Sequence, residues 1–251
     1  MWKLDLSTSP PLWRLVPEPH GVRAAFSTRQ GGVSEPPYDT LNVGRSTRDR
    51  PAAVAENRRR ALVRLGFDPA RLATPGQVHG AAVAKVASPG LSEPCDALVT
   101  LEPHLVLAVT SADCLPILFT APGAVAAAHA GWRGTAAGVA EATLTTLCET
   151  AGADPSRVRI HFGPCIRACC YTVGREVAER FPRAAVSEVN GELRLSLSTA
   201  ARIRLVEAGA DSDAIEDTEA CTACDPALYF SHRRDHGLTG RQWGLIALAP
   251  A

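Results

Sequence analysis

The sequence predicts a layered α/β or α+β protein, and three observations carry that expectation. Its 251 residues are 46% hydrophobic, enough apolar material for a large core. Short runs rich in Val, Leu and Ile recur nine times, several in succession, with turn residues between them. Four intervening stretches repeat apolar residues at helical spacing, and strands mixed with helices in this way stack as sheet and helix layers. No dinucleotide-binding glycine fingerprint accompanies them.

The strand candidates are residues 22–26, 82–86, 97–100, 105–110, 115–120, 124–128, 158–162, 193–197 and 243–249. Pro51 suits a first helical position, and Val54, Ala61, Leu62 and Leu65 share one face before Gly66 ends the element. After Gly134, the positions Ala136, Val139, Ala140, Thr143, Leu144 and Leu147 follow the spacing of one amphipathic helix. Val173, Val177 and Phe181 predict a short third helix stopped by Pro182. Ser198 is the expected cap of a fourth, which runs through Ile203 and Val206 to Gly209.

Composition excludes several classes. Lys and Arg total 26 against 26 Asp and Glu, so no cationic surplus is available for a nucleic-acid backbone. Apolar runs such as residues 124–128 fall far short of the ~20 residues of a membrane span. The N-terminus lacks the basic start and apolar stretch of a secretory signal, so a cytoplasmic protein is expected. Eight cysteines are too few for a disulfide scaffold at this length and serve as core filler, metal ligands or nucleophiles.

Three of the seven histidines have settings of interest. His129 follows the strand candidate at 124–128, and Gly131 then turns the chain toward a helix. Strand ends of this kind face the crevice where layered proteins bind ligands. His79 lies in Gln77-Val78-His79-Gly80, and Cys114 follows the turn Ser111-Ala112-Asp113 between two apolar strands. Two imidazoles and a thiolate form a zinc set with a fourth position open to water. Spacing alone carries no local metal motif, because 35 residues separate His79 from Cys114 and 15 more lead to His129. On spacing, a buried cysteine with two unrelated histidines is favoured. His232 likewise ends an apolar stretch, whereas His20, His104 and His161 read as surface or satisfied core histidines.

Gly131-Trp132-Arg133-Gly134-Thr135 opens a helix, where free backbone N–H groups and an Arg make an anion site; close packing by the glycines explains it equally well. Thr28-Arg29-Gln30-Gly31-Gly32 repeats that chemistry, and residues 229–235 with Thr239-Gly240-Arg241 collect polar groups or form a solvated loop. Cys221-x-x-Cys224 lacks a second matched pair to build a zinc ribbon with Cys165, Cys169 and Cys170. Cys95, Cys148, Cys169 and Cys170 are therefore expected to be small buried hydrophobes.

Seven ordered motifs carry a family resemblance: residues 26–34 (Phe26-Ser27-Thr28-Arg29-Gln30-Gly31-Gly32-Val33-Ser34), Leu41-Asn42-Val43-Gly44, Gln77-Val78-His79-Gly80, Ala112-Asp113-Cys114-Leu115-Pro116, His129-Ala130-Gly131-Trp132-Arg133-Gly134, Gly163-Pro164-Cys165-Ile166, and Ser231-His232-Arg233-Arg234 with Thr239-Gly240-Arg241. They span nearly the whole chain, which resembles the bacterial YfiH family, also called the laccase-domain or polyphenol oxidase family. The resemblance implies a single α+β domain over residues 1–251, with α/β/β/α layers of mixed sheets, similar to the catalytic domain of cytotoxic necrotising factor. It implies a zinc-dependent enzyme with purine nucleoside phosphorylase, adenosine deaminase and methylthioadenosine phosphorylase activities. Its metal ligands match His79, Cys114 and His129, which reverses the reading from spacing. Ser111 stands where Thr is usual, Ser196 where Asp is usual, and Ser46-Thr47-Arg48 where a His-Val-Gly-like stretch is usual.

With that chemistry, zinc would activate the water that attacks C6 of adenine, and Asp113 is the candidate carboxylate that moves protons. Arg29 and Arg133 are the candidates for holding phosphate against C1′, with Asn42 and His232 as contacts to the nucleoside. Purine nucleosides and inorganic phosphate are thus the expected partners. Copper is the alternative metal, but a blue-copper centre takes an axial Met and the only Met is Met1. A cysteine hydrolase with Cys114 as nucleophile and His129 as base, and a non-catalytic zinc-binding module, are the remaining alternatives.

Overall fold

The computed structural model describes residues 1–16 and 21–249, and His20 lies outside them. In chain order the first elements are β1 (Trp2–Asp5), β2 (Leu12–Leu15), β3 (Val22–Ser27), α1 (Pro51–Arg64), β4 (Leu72–Thr74), β5 (Val83–Lys85) and β6 (Gly90–Leu91). Next come β7 (Ala97–Thr100), β8 (Val106–Ser111), β9 (Leu115–Ala121), β10 (Ala124–Ala130), α2 (Trp132–Ala137), α3 (Val139–Ala151) and β11 (Arg159–Phe162). The last are α4 (Arg175–Ala178), β12 (Val186–Val189), β13 (Glu192–Leu195), α5 (Leu197–Glu207), β14 (Ile215–Asp217) and β15 (Gln242–Leu248). No helix among the described residues is long and apolar enough to cross a membrane.

Two mixed sheets result. The first runs β1-β2-β3-β15-β8-β4-β6, and the second β14-β11-β9-β10-β7-β5. The first is antiparallel except where β4 lies parallel to β6 and β8. In the second, β11 pairs parallel with β14 and β5 parallel with β7. The remaining pair, β12 and β13, forms a separate hairpin.

The period of two along the strands explains the layering. On β9, Leu118 joins Phe26, Leu107, Val125 and Ile246 in the core between the sheets. Its neighbours Ile117 and Phe119 point the other way, into a core shared with Val139, Leu144 and Leu147 of α3 and Leu205 of α5. On the outer face of the first sheet, Val106, Ala108 and Leu245 pack against Ala61 and Leu62 of α1. Helix, sheet, sheet and helix are thus stacked in that order. Alanine is a weak strand former, yet β10 is mostly alanine; it is buried on both faces and paired on both edges by β7 and β9. Its short side chains let α3 approach the sheet.

Local differences from the sequence reading have identifiable causes. The helix expected after Gly134 is two helices, divided at Gly138, whose φ of 90° terminates α2 and starts α3. The cap of α5 is Ser196, whose hydroxyl accepts from the Thr199 N–H at 3.2 Å, and not Ser198. Ser198 instead accepts from Arg167 Nη1 at 2.9 Å. Because Ser196 and Leu197 open a helix, the strand expected at 193–197 stops at Leu195. Serine and aspartate both serve as helix caps, so the departure from the family residue at 196 retains the capping chemistry. The third helix is only one turn, Arg175–Ala178.

Candidate metal centre

Three segments converge at one end of the second sheet. The tight turn from β8 to β9 carries Asp113, with φ of 89°, and Cys114. Ser111 Oγ donates to the Cys114 carbonyl and closes this turn. β10 delivers His129 one residue before its end. His79 sits in a loop after β4, with φ of 62°, next to Gln77, whose φ is 38°. Two non-glycine residues in the left-handed region need external support. Gln77 supplies part of it, because its amide donates to the Thr110 carbonyl at 2.8 Å and accepts from the Thr110 N–H at 2.9 Å and hydroxyl at 2.7 Å.

Asp96 supplies the rest. This fully buried carboxylate accepts the backbone N–H groups of Val78 at 3.1 Å, His79 at 3.0 Å and Gly80 at 2.7 Å. Its Oδ1 also lies 2.8 Å from His129 Nδ1. One side chain therefore holds the His79 loop and fixes the imidazole of His129. A carboxylate on one ring nitrogen turns the other toward its ligand, the arrangement found behind histidines that bind metals.

The ligand atoms of His79, Cys114 and His129 all lie within 4.8 Å of one another. The two imidazoles meet edge to face, with centroids 4.9 Å apart and planes at 83°. Burial raises the cost of the Cys114 thiolate, but the charge of His129 and hydrogen bonds from both histidines overcome it and bring the thiol down to about 6. Burial likewise opposes the charged form of His129, yet the thiolate and Asp96 raise it to about 9. Burial works against Asp96 as well, and the bonds from His129, Gly80 and His79 hold its carboxyl below the ordinary value. An anionic sulfur beside two imidazoles is the donor set that zinc favours, and the residues fit that ion. Gly131 is part of the fit. A Cβ there would lie 2.9 Å from Cys114 Sγ and 3.2 Å from His79 Cδ2.

The triad opens onto a cavity of about 410 Å³, within the range of roughly 300–1,000 Å³ of small-molecule sites. Arg133, Arg233 and Arg241 line it together with His232, Tyr171 and Ser46. Asp113 is its only carboxylate among the described residues. Asp113 Oδ1 accepts from Thr222 Oγ1 and Oδ2 from the Arg233 N–H, each at 2.6 Å. The Arg233 guanidinium lies 5.0 Å from the Tyr171 ring and donates to the Thr172 carbonyl at 2.8 Å. Burial, with the Cys114 thiolate nearby, pushes the Tyr171 hydroxyl up to about 12, so it stays a donor at neutral pH.

Of the residues read from sequence, the structure brings His79, Cys114, His129, Asp113, Arg133 and His232 to this cavity. Arg29 and Asn42 lie outside its lining. Arg29 is occupied elsewhere: it donates to the carbonyls of Asp39 at 2.7 Å and Pro226 at 3.1 Å, and pairs with the Asp39 carboxylate at 3.1 Å. Asn42 is fully buried and acts one step back, accepting from the N–H of Arg241 at 2.9 Å and of Gly44 at 3.0 Å. Asp96 and Gln77 are the supporting residues that sequence reading missed. For Asp96 a signal existed, a carboxylate placed directly before the apolar strand at 97–100.

The cysteines also divide. Cys95 and Cys148 are buried among apolar side chains as expected. Cys169 and Cys170 are not: Cys169 is exposed and Cys170 half-buried, and both stand beside Cys221 and Cys224. Sequence spacing could not foresee this, because two loops far apart in the chain supply the four sulfurs. His161 is a core histidine that accepts from Trp2 Nε1 at 3.3 Å.

Residues 23–249 match the family described as "Multi-copper polyphenol oxidoreductase laccase". The chain is 38% identical to "Purine nucleoside phosphorylase YlmD" of Geobacillus stearothermophilus, over 90% of each chain. It is 40% identical to "Purine nucleoside phosphorylase YfiH" of Escherichia coli, over 95% of this chain and 97% of that one. The crystal structure of Bacillus licheniformis YfiH superposes with a TM-score of 0.90 at 34% identity, covering 98% of both chains. With a match across most of its length in both sequence and structure, the chain belongs to this laccase-like family of YfiH and YlmD proteins.

Proposed function

We propose that the protein is a zinc-dependent purine nucleoside phosphorylase that also deaminates adenosine and cleaves methylthioadenosine. The observation that carries the reading is a His79–Cys114–His129 set opening onto the same cavity as three arginines and a single carboxylate. His79, Cys114 and His129 would hold the ion, which when bound supplies a Lewis acid able to polarise an oxygen or lower the pKa of water.

The remaining work falls to the side chains of the cavity. Arg133 stands over the Trp132 ring at 4.4 Å near the start of α2, and Arg241 is fixed by its own bonds to the carbonyls of Thr239 and Gly240. With Arg233 they can hold a phosphate against C1′ of the sugar, where positive charge grows as the base leaves. Tyr171 and His232 face the nucleoside, and Asp113 moves the proton at the ring nitrogen and at the amino group on C6. Arg29 and Asn42 act indirectly in this reading, Asn42 by positioning Arg241. Residues 1–251 are taken as one domain of the cytotoxic necrotising factor catalytic type, in the cytoplasm, where thiols stay reduced.

Two alternatives can be weighed against particular atoms. For copper oxidase chemistry, the axial Met and further histidines are wanting near the triad: the Met1 amino group pairs with Glu216, and His232 is the only other histidine among the described residues lining the cavity. A cysteine hydrolase is favoured by one observation, the Cys114–His129–Asp96 relay with its lowered thiol. His79 has no role in such a relay, whereas zinc uses it.

The dividing experiment is product analysis on zinc-loaded protein given adenosine, with and without phosphate. Adenine and ribose 1-phosphate should form only with phosphate, and inosine without it. Arg133→Ala should lose adenine release and keep inosine formation. Equal retention of both activities would remove Arg133 from phosphate binding, and absence of all products in the wild type would overturn the reading.

A further inference from the structure

A second set of four sulfurs lies apart from the triad. Cys169 and Cys170 sit in the loop that follows β11, and Cys221 and Cys224 in the loop that follows β14. Cys169 Sγ is 3.6 Å from Cys221 Sγ and 3.5 Å from Cys224 Sγ, and Cys170 Sγ is 3.3 Å from Cys224 Sγ. All four sulfurs lie within 4.8 Å of one another. A zinc–sulfur bond of about 2.3 Å makes the edge of a tetrathiolate tetrahedron about 3.8 Å, close to these separations. A disulfide needs sulfurs about 2.05 Å apart, and none of these pairs has that spacing.

The surroundings are those of ligands and not of core thiols. Cys169 and Cys224 are exposed, and Cys170 and Cys221 half-buried, so packing gives no reason to gather four thiols there. Three arginines brace the two loops, and each also pairs with a carboxylate: Arg167 with Asp217, Arg194 with Glu192 at 3.5 Å and Arg234 with Asp235 at 2.7 Å. Arg194 Nη1 donates to the Cys169 carbonyl at 2.7 Å, Arg167 Nε to the Ala220 carbonyl at 3.2 Å, and Arg234 Nη1 to the Thr222 carbonyl at 2.9 Å.

We infer that Cys169, Cys170, Cys221 and Cys224 form a second, structural zinc site that clamps these two loops together. Both loops build one wall of the cavity. Tyr171, adjacent to Cys170, lines it, and Thr222, adjacent to Cys221, holds the Asp113 carboxylate. The ion replaces the apolar packing that exposed loops lack, and its four positions are filled by protein, as in sites that carry structure and not reaction.

The test is zinc content by mass spectrometry of protein purified anaerobically with reductant, then exchanged into chelator-treated buffer. Two zinc ions per chain are expected. The double variant Cys169→Ser/Cys224→Ser should bind half as much, and Cys114→Ser should also lose half, from the other site. Should the double variant fail to fold, X-ray absorption of the wild-type protein at the zinc edge gives the answer directly. More than two sulfur neighbours per zinc on average supports the site. One zinc per chain with a single sulfur neighbour overturns it, as does an intact mass showing a disulfide among these four cysteines. The two centres are separable: Cys114→Ser with undiminished zinc would count against the triad alone.

Discussion

Asp96 Oδ1 lies 2.8 Å from His129 Nδ1, while the same carboxylate accepts three successive backbone N–H groups from Val78, His79 and Gly80. Two candidate ligands that are 50 residues apart in the chain, His79 and His129, are therefore organised by one buried side chain. Substituting Asp96→Asn keeps the volume but removes the charge and places an NH₂ against donors. Zinc affinity should fall about 10- to 100-fold, as it does when a partner behind a metal-bound histidine is lost. Competition with a chromophoric chelator measures this, and unchanged affinity would show that Asp96 only shapes the loop.

Gly131 has an ordinary φ of −73°, so its value lies in the missing side chain. Gly131→Ala would press a methyl group against Cys114 Sγ and the His79 ring. Displacing a reacting group by about 1 Å can cost about 100-fold, and turnover should fall by that order with the melting temperature nearly unchanged. Parallel assays of turnover and thermal unfolding separate this from general destabilisation.

The lowered thiol of Cys114 sets a pH dependence in metal-free protein. Thiolate is the reactive form, and its fraction rises as pH passes upward through the folded value of about 6, not the ordinary value near 9. Alkylation of the Cys114 peptide by iodoacetamide should therefore reach half its maximal rate near pH 6 and be nearly flat from pH 7 to 8. Zinc should suppress it throughout. Equal labelling with and without zinc would favour the cysteine hydrolase.

Asn57 tests the loop that carries Asn42. Fully buried on α1, it donates to Ser34 Oγ at 2.8 Å and to the carbonyls of Thr40 at 3.1 Å and Asn42 at 2.9 Å, and accepts from the Val33 N–H at 2.8 Å. Asn57→Ala leaves buried polar groups without partners, at a cost of about 3 kcal/mol. Urea unfolding should show the loss as a lower midpoint at unchanged slope.

Much of this arrangement was legible in the residues. Strands long enough to show a period of two, such as β9 and β15, could be read directly. β4 and β6 could not, since two or three residues display no period. The motifs around His79, Cys114 and His129 marked the triad only through family resemblance, because ligands 35 and 15 residues apart meet through sheet topology. Arg29 and Arg133 looked alike, each beside a glycine turn, but Asp39 and Pro226 engage Arg29 in the fold. The four-sulfur cluster was hidden for the same reason as the triad: β11 and β14 are adjacent and parallel only in the folded sheet.

The most direct test compares adenine release from adenosine and phosphate by zinc-loaded wild-type protein, metal-free protein and Cys114→Ser. Phosphate-dependent release by the first, with loss in both others and recovery on returning zinc to the metal-free wild type alone, is the predicted result. Undiminished release by Cys114→Ser or by the metal-free protein would contradict it.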